Sequence, residues 1–112
     1  MTRAVAETAD GLLVHPLNTT KYIKEVTLPV VEEGLASAGK KRSDFDLSVN
    51  VMTAVGLTEE STQNAINATK QQIAFYASTP NYVAVLETHG VGDLHPELNR
   101  LSKQGKWEEM GS

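Results

Sequence analysis

The stretch Ala9-Asp10-Gly11-Leu12-Leu13-Val14-His15-Pro16 decides how the rest of this chain is read. Asp10-Gly11 is a stop and turn signal. Leu12 to Val14 is the unbroken apolar run of a strand covered on both faces. Proline has no N–H to give a ladder, so pairing ends at His15-Pro16 and the chain leaves the sheet there. Upstream, Thr2 to Thr8 is rich in Ala and Glu and reads as a helix. Downstream, a helix, a second strand and further helices follow, which is the order of a parallel α/β sheet. Only two strands are present, too few to close a barrel or to make a stable open sheet alone.

Working outward, Asn18, Thr19 and Thr20 offer N-caps for a helix that runs to about Ala38, with Gly39 as its C-terminal residue. Tyr22, Ile23, Val26, Val30, Val31 and Leu35 follow helical spacing, and Pro29 kinks or divides the element. Lys40-Lys41-Arg42-Ser43-Asp44 is a charged turn. It hands over to Phe45, Leu47, Val49, Val51 and Val55, alternating with Asp46, Ser48, Asn50 and Ala54, which predicts a strand from Phe45 as far as Val55. Gly56 ends it. Thr58 caps the next helix, with Glu59 and Glu60 in the first turn against the dipole and Ile66, Thr69, Ile73 and Tyr76 as the inward stripe. Ser78-Thr79-Pro80 closes that helix and opens another, with Tyr82, Val83 and Leu86 inward as far as Gly90. Pro96 to Ser102 reads as a further helix, with Leu94, Leu98 and Leu101 on its apolar side, and Trp107 and Met110 form an amphipathic tail.

Composition bounds the function. A chain of 112 residues with 40% hydrophobic residues and a net charge of −4 is one globular domain, 1–112, without the basic footprint of a nucleic-acid binder. It has no cysteine, which excludes thiol catalysis, disulfides and thiolate metal centres. No apolar run approaches a membrane span and no signal-peptide core is visible, so the expected location is cytoplasmic, with no membrane partner. Glu87, His89, Asp93 and His95 are the one cluster of metal-ligand types. They lack a spacing such as His-Glu-x-x-His, and the plainer reading is a helix connection with Asp93 as an N-cap; no metal site is expected. Phe75, Tyr76, Tyr82 and Trp107 read as a packing cluster. Phosphate-loop glycines and the G-x-S-x-G elbow are both missing.

Four segments, in order, resemble the luciferase-like monooxygenase superfamily, in its deazaflavin (coenzyme F-420)-dependent oxidoreductase branch. They are the opening stretch; Leu28-Pro29-Val30-Val31-Glu32-Glu33-Gly34-Leu35; Gln72-Ile73-Ala74-Phe75-Tyr76-Ala77-Ser78-Thr79-Pro80; and Leu98-Asn99-Arg100-Leu101-Ser102-Lys103-Gln104-Gly105-Lys106-Trp107. The family fold is a (β/α)8 barrel of about 250 residues or more. The resemblance implies that this chain is part of such a barrel, an internal stretch of its second half, with about two strands and four to five helices. It also implies that earlier strands holding most cofactor-binding groups are not among these residues.

Within that resemblance, His15 is the candidate catalytic residue, because it stands at the C-terminal end of a strand where barrel enzymes keep their working groups. A neutral histidine there donates to a substrate or flavin oxygen or acts as a general acid; the plainer role is to cap the strand end. Thr2 and Arg3 resemble the residues just beyond the family's cofactor-phosphate site, an anion site of helix N-terminus and arginine. No cofactor is expected for the isolated chain; deazaflavin or FMN is expected if the family activity is kept. The leading expectation is a homo-oligomer, dimer or higher, without redox activity of its own, in which a second copy completes the strands. The alternative is a flavin- or deazaflavin-binding oxidoreductase, active as an oligomer or with a missing half.

Overall fold

The computed structural model describes all residues 1–112, and they form two compact units, Met1–Val51 and Met52–Ser112. In the first unit, helix α1 (Thr2–Thr8) leads through two residues into strand β1 (Gly11–Val14). A helical crossover then carries the chain to strand β2 (Asp46–Val49), which lies parallel to β1 in a two-stranded sheet. Gly11 is opposite Asp46, Leu12 opposite Leu47, Leu13 opposite Ser48 and Val14 opposite Val49.

The crossover begins at α2 (Thr20–Tyr22), where the Thr19 hydroxyl accepts the Tyr22 N–H at 3.1 Å, so Thr19 is the cap among the three candidates. Ile23–Thr27 is then a π-helical turn, closed by the Leu28 N–H on the Ile23 carbonyl, before α3 (Leu28–Ser37) resumes α geometry. Pro29 explains the division. It stands in the first turn of α3, where its missing N–H costs least, and the wider turn before it gives the ring room beside the preceding carbonyls. At the other end Gly39 takes φ +67° and the Lys40 N–H returns to the Leu35 carbonyl at 2.9 Å, a left-handed cap that a side chain would strain.

Alternation assigns Leu12, Val14, Leu47 and Val49 to one face of the sheet and Gly11, Leu13, Asp46 and Ser48 to the other. Leu12 packs against a core of Ala6, Val31, Leu35 and Phe45 built by α1, α3 and the residue that leads into β2. The two helices approach closely at Gly34, where a Cβ would fall 2.8 Å from that of Ala6 and 2.9 Å from the Arg3 carbonyl oxygen. Lys40 fastens the same pair, its ammonium donating to the Ala6 and Ala9 carbonyls at the end of α1. The opposite sheet face is open: Leu13 is 64% exposed, and the Ser48 hydroxyl there donates to the Asp46 carboxylate.

The second strand is shorter than its alternation predicts. It stops at Val49, and residues 50–56 take no regular structure. The limit comes from its neighbour, because β1 ends at Val14 before Pro16 and a ladder needs both sides.

The second unit is helical. Helix α4 (Glu59–Ala77) starts on a capping box in which the Thr58 hydroxyl accepts the Ser61 N–H and the Ser61 hydroxyl accepts the Thr58 N–H. A 3-10 turn (Pro80–Tyr82) and α5 (Val83–Thr88) follow, then α6 (Leu94–Lys103) and α7 (Trp107–Met110). Its core joins Ala74, Leu101 and Met110, with Leu98 against them. The expected stripe is half-buried at Ile66, Thr69 and Tyr76, but the buried positions of α4 are Ala74 and Ala77, and Ile73 is exposed. Ala74 lies where Leu101 of α6 and Met110 of α7 meet α4, and Ile73 falls outside that contact. Helix α6 begins two residues earlier than expected, and Asp93 makes no side-chain cap. The expected tail closes into α7 because burying Met110 in this core orders it. No helix of the chain is long and apolar enough to cross a membrane.

Candidate functional site

Parallel sheets place ligands beyond the carboxyl ends of their strands, so the candidate site is the end of the β1–β2 pair. The last paired residues are Val14 and Val49, and the next in line are His15 and Asn50. The alternation places Asn50 inside the strand; only the early end of β2 makes it a rim residue. His15 is half-buried, and its Nδ1 accepts the Leu17 N–H at 3.1 Å across the Pro16 turn. That bond has a chemical consequence. A ring nitrogen that accepts from a backbone amide carries no proton, so in the neutral imidazole the proton is on Nε2, and the turn fixes both tautomer and ring orientation. His15 is thus a strand-end cap and an oriented Nε2–H donor at once.

Thr2 and Arg3 occupy the first turn of α1. The helix is joined to β1 by two residues and packs along it, so this turn lies toward the His15 end of the sheet. Arg3 is already engaged. Its Nε donates to Glu7 at 2.9 Å and one terminal nitrogen donates to Glu33 on α3 at 2.9 Å. The hydrogen bond to Glu7, then the charge of Glu33, hold its pKa above the ordinary arginine value. One guanidinium between two carboxylates leaves the trio with net charge −1. The group therefore does not fit an anionic phosphate as it stands, and α1 has only seven residues to lend a dipole.

The Glu87, His89, Asp93 and His95 cluster does not assemble; no three His, Asp or Glu side chains come together to hold a metal ion. His95 instead joins the end of α4, its Nδ1 lying 2.9 Å from the Ala77 carbonyl. A carbonyl only accepts, so Nδ1 carries the proton in this bond. One turn on, Asn99 Nδ2 donates to the Ser78 carbonyl at 2.9 Å. Together they satisfy carbonyls that the end of α4 leaves without helical partners. The i, i+4 spacing of His95 and Asn99 was the signal for this role, and it was legible only once their helix was known to start at Leu94.

The aromatic residues pack on one another as the sequence led us to expect. Phe75 meets Trp107 at 5.9 Å and Tyr76 at 5.9 Å, and Tyr76 meets Tyr82 edge-on at 6.4 Å. A groove of about 300 Å³ runs along Gly105, Lys106, Trp107, Glu108 and Glu109. It is lined by five consecutive residues, so no groups from separate elements converge on it as they do in a binding pocket.

Comparison with known proteins adds a family to this geometry. The sequence pattern of the luciferase-like monooxygenases matches residues 1–112, the whole chain. A Mycobacterium tuberculosis protein described as uncharacterized is 52% identical over 111 residues, covering 99% of this chain and 33% of that protein. A 5,10-methylenetetrahydromethanopterin reductase of Methanopyrus kandleri is 34% identical over 92 residues, 81% of this chain and 24% of the reductase. The reductase of the same name from Archaeoglobus fulgidus is 30% identical over 113 residues, 96% of this chain and 32% of the reductase. The chain spans about a third of the length of the first relatives it matches.

Proposed function

The chain belongs to the luciferase-like monooxygenase family, and from that premise we propose that it is the strand-and-helix part of a deazaflavin-dependent oxidoreductase fold that self-associates and transfers no hydride by itself. The observation that carries this reading is the parallel β1–β2 pair, joined through a helical crossover as in a barrel, with one face covered by helices and no third strand at either outer edge. A strand pair of this kind gains stability from further strands, and a second copy of the chain is the source always at hand. The engagement of Arg3 by Glu7 and Glu33 supports the absence of redox activity, because the phosphate end of a deazaflavin meets net negative charge there. Sedimentation equilibrium, with and without deazaflavin and FMN, tests the reading. A self-associating species that carries no chromophore is the expected result; stoichiometric chromophore moving with the protein overturns it.

A second reading is favoured by the two reductases among the relatives. In it, the chain works as an oxidoreductase when its sheet is completed, and a bound deazaflavin supplies the hydride chemistry. His15 contributes an oriented Nε2–H to a substrate oxygen at the strand ends. Glu33→Gln separates the readings, because it returns the Arg3 trio to neutrality: chromophore binding that appears in this variant and is lost again on Arg3→Gln favours the second.

A further inference from the structure

Strand β1 leaves the sheet through a turn that is pinned at both ends. Val14 and Leu17 are each 7% exposed, and His15 and Pro16 between them are half-buried. Pro16 holds its φ near the one value its ring allows, so little freedom is left between the two anchors. Side chains of the turn satisfy its backbone. The Leu17 N–H donates to His15 Nδ1 at 3.1 Å, the Thr19 N–H to Asn18 Oδ1 at 2.9 Å and the Tyr22 N–H to Thr19 Oγ1 at 3.1 Å. The first of these has the pattern of an Asx turn, with an imidazole nitrogen in place of the side-chain oxygen.

We propose that Leu17 is a positioning residue whose buried side chain aims its amide at Nδ1 and so restricts His15 to donating a hydrogen bond, with no part in proton transfer; this rests on the second reading above. The lone pair of Nδ1 is taken up by the Leu17 N–H and Nε2 carries the proton, so neither nitrogen can abstract a proton from a substrate. General-acid work needs the imidazolium, which carries a proton on Nδ1 as well. Two N–H groups would then face each other, and the turn would have to give up the Leu17 bond. Of the roles open to a histidine at a strand end, the one left is a neutral Nε2–H that meets an oxygen. The group it suits is a carbonyl oxygen, which accepts a hydrogen bond and exchanges no proton.

Nitrogen-15 NMR of the cofactor-free chain, at a pH where His15 is neutral, tests this. The wild type is expected to show a scalar coupling across the hydrogen bond between the Leu17 amide nitrogen and His15 Nδ1, with Nδ1 at the shift of an unprotonated ring nitrogen. Leu17→Ala, shown to be folded by circular dichroism, is expected to lose the coupling, and the volume-conserving Leu17→Met to keep it. A role in packing alone would leave the coupling in place. Leu17→Val, a smaller truncation, replaces the alanine variant should that chain unfold. From the other side of the bond, His15→Phe is expected to speed exchange of the Leu17 amide by about tenfold, the loss of roughly one hydrogen bond. No coupling in the wild type, a coupling that survives truncation of Leu17, or unchanged exchange in His15→Phe overturns the proposal. These measurements need no cofactor. A failed chromophore titration overturns the second reading instead and leaves the turn as it is.

Discussion

The two units reach comparable order by different routes. In Met1–Val51 the decisive contacts join residues far apart in sequence: Ala6 with Val31 and Leu35, Arg3 with Glu33, Lys40 with the end of α1, and β1 with β2 across the crossover. In Met52–Ser112 many are local: a capping box at Thr58, helix ends closed by Gly90 and Gly105 at positive φ, and i, i+3 pairs such as Arg100 with Glu97 and Lys106 with Glu109. Its core is small, with Ala74, Leu101 and Met110 as the buried members. The difference shows which substitutions matter where. The first unit answers to volume and close approach, the second to backbone satisfaction at helix ends.

The largest expected effect breaks the first unit's core. Leu35→Ala removes a side chain that is 2% exposed, and a loss of about 3 kcal/mol in a urea titration is expected, typical of a buried leucine cavity. Hydrogen exchange is expected to lose protection mainly within residues 1–51; an equal loss through α4 and α6 breaks the contrast between the units.

Gly34→Ala comes next and is diagnostic by its sign. In an exposed helix the change stabilises by about 1 kcal/mol. At Gly34 the new methyl meets Ala6 and the Arg3 carbonyl inside 3 Å, and a net loss of about 1–2 kcal/mol is expected from overpacking. A raised melting temperature removes the close helix contact from the account.

In the second unit, Thr58→Ala deletes the capping oxygen of α4 and is expected to cost about 1 kcal/mol, seen as faster amide exchange in the first turn of that helix. No change there would mean that packing, and not the cap, holds the start of this helix.

The smallest effect is a pH dependence. The hydrogen bond from Arg100 holds the Glu97 pKa below the ordinary carboxylate value, against a smaller opposing effect of desolvation. A depressed folded-state pKa contributes stability above the unfolded value, and the contribution disappears as pH falls through the folded value. The window therefore lies on the acid side of the usual carboxylate range. Both groups are solvent-exposed, so the effect on stability is slight. An NMR titration of Glu97 in Arg100→Gln is expected to move its midpoint upward; an unmoved midpoint removes the pair from the local devices of the second unit.

Much of this was legible in the residues. The order of elements, the strand end at His15-Pro16, the division at Pro29, the caps at Gly39 and Thr58, and the family all follow from patterns confined to a few neighbouring positions. The site was legible to a lesser degree. His15 could be named as a strand-end group, but the tautomer fixed by the Leu17 amide could not, because it depends on how the Pro16 turn folds back. Arg3 could be named as a cation, but not that Glu33, thirty residues away, would share it with Glu7.

What the sequence determined by itself is the set of local states: which segments are helix or strand, where each is capped, and which face of the first strand is apolar, since φ/ψ preference and backbone hydrogen bonding act over one or two turns. Tertiary structure decided the rest. It ended β2 at Val49 despite an alternation that continues to Val55, because a ladder lasts only as long as its neighbour. It buried Ala74 rather than Ile73, because Ala74 lies on the face of α4 that Leu101 of α6 and Met110 of α7 cover. Those outcomes depend on which surfaces meet, and no single segment carries that information.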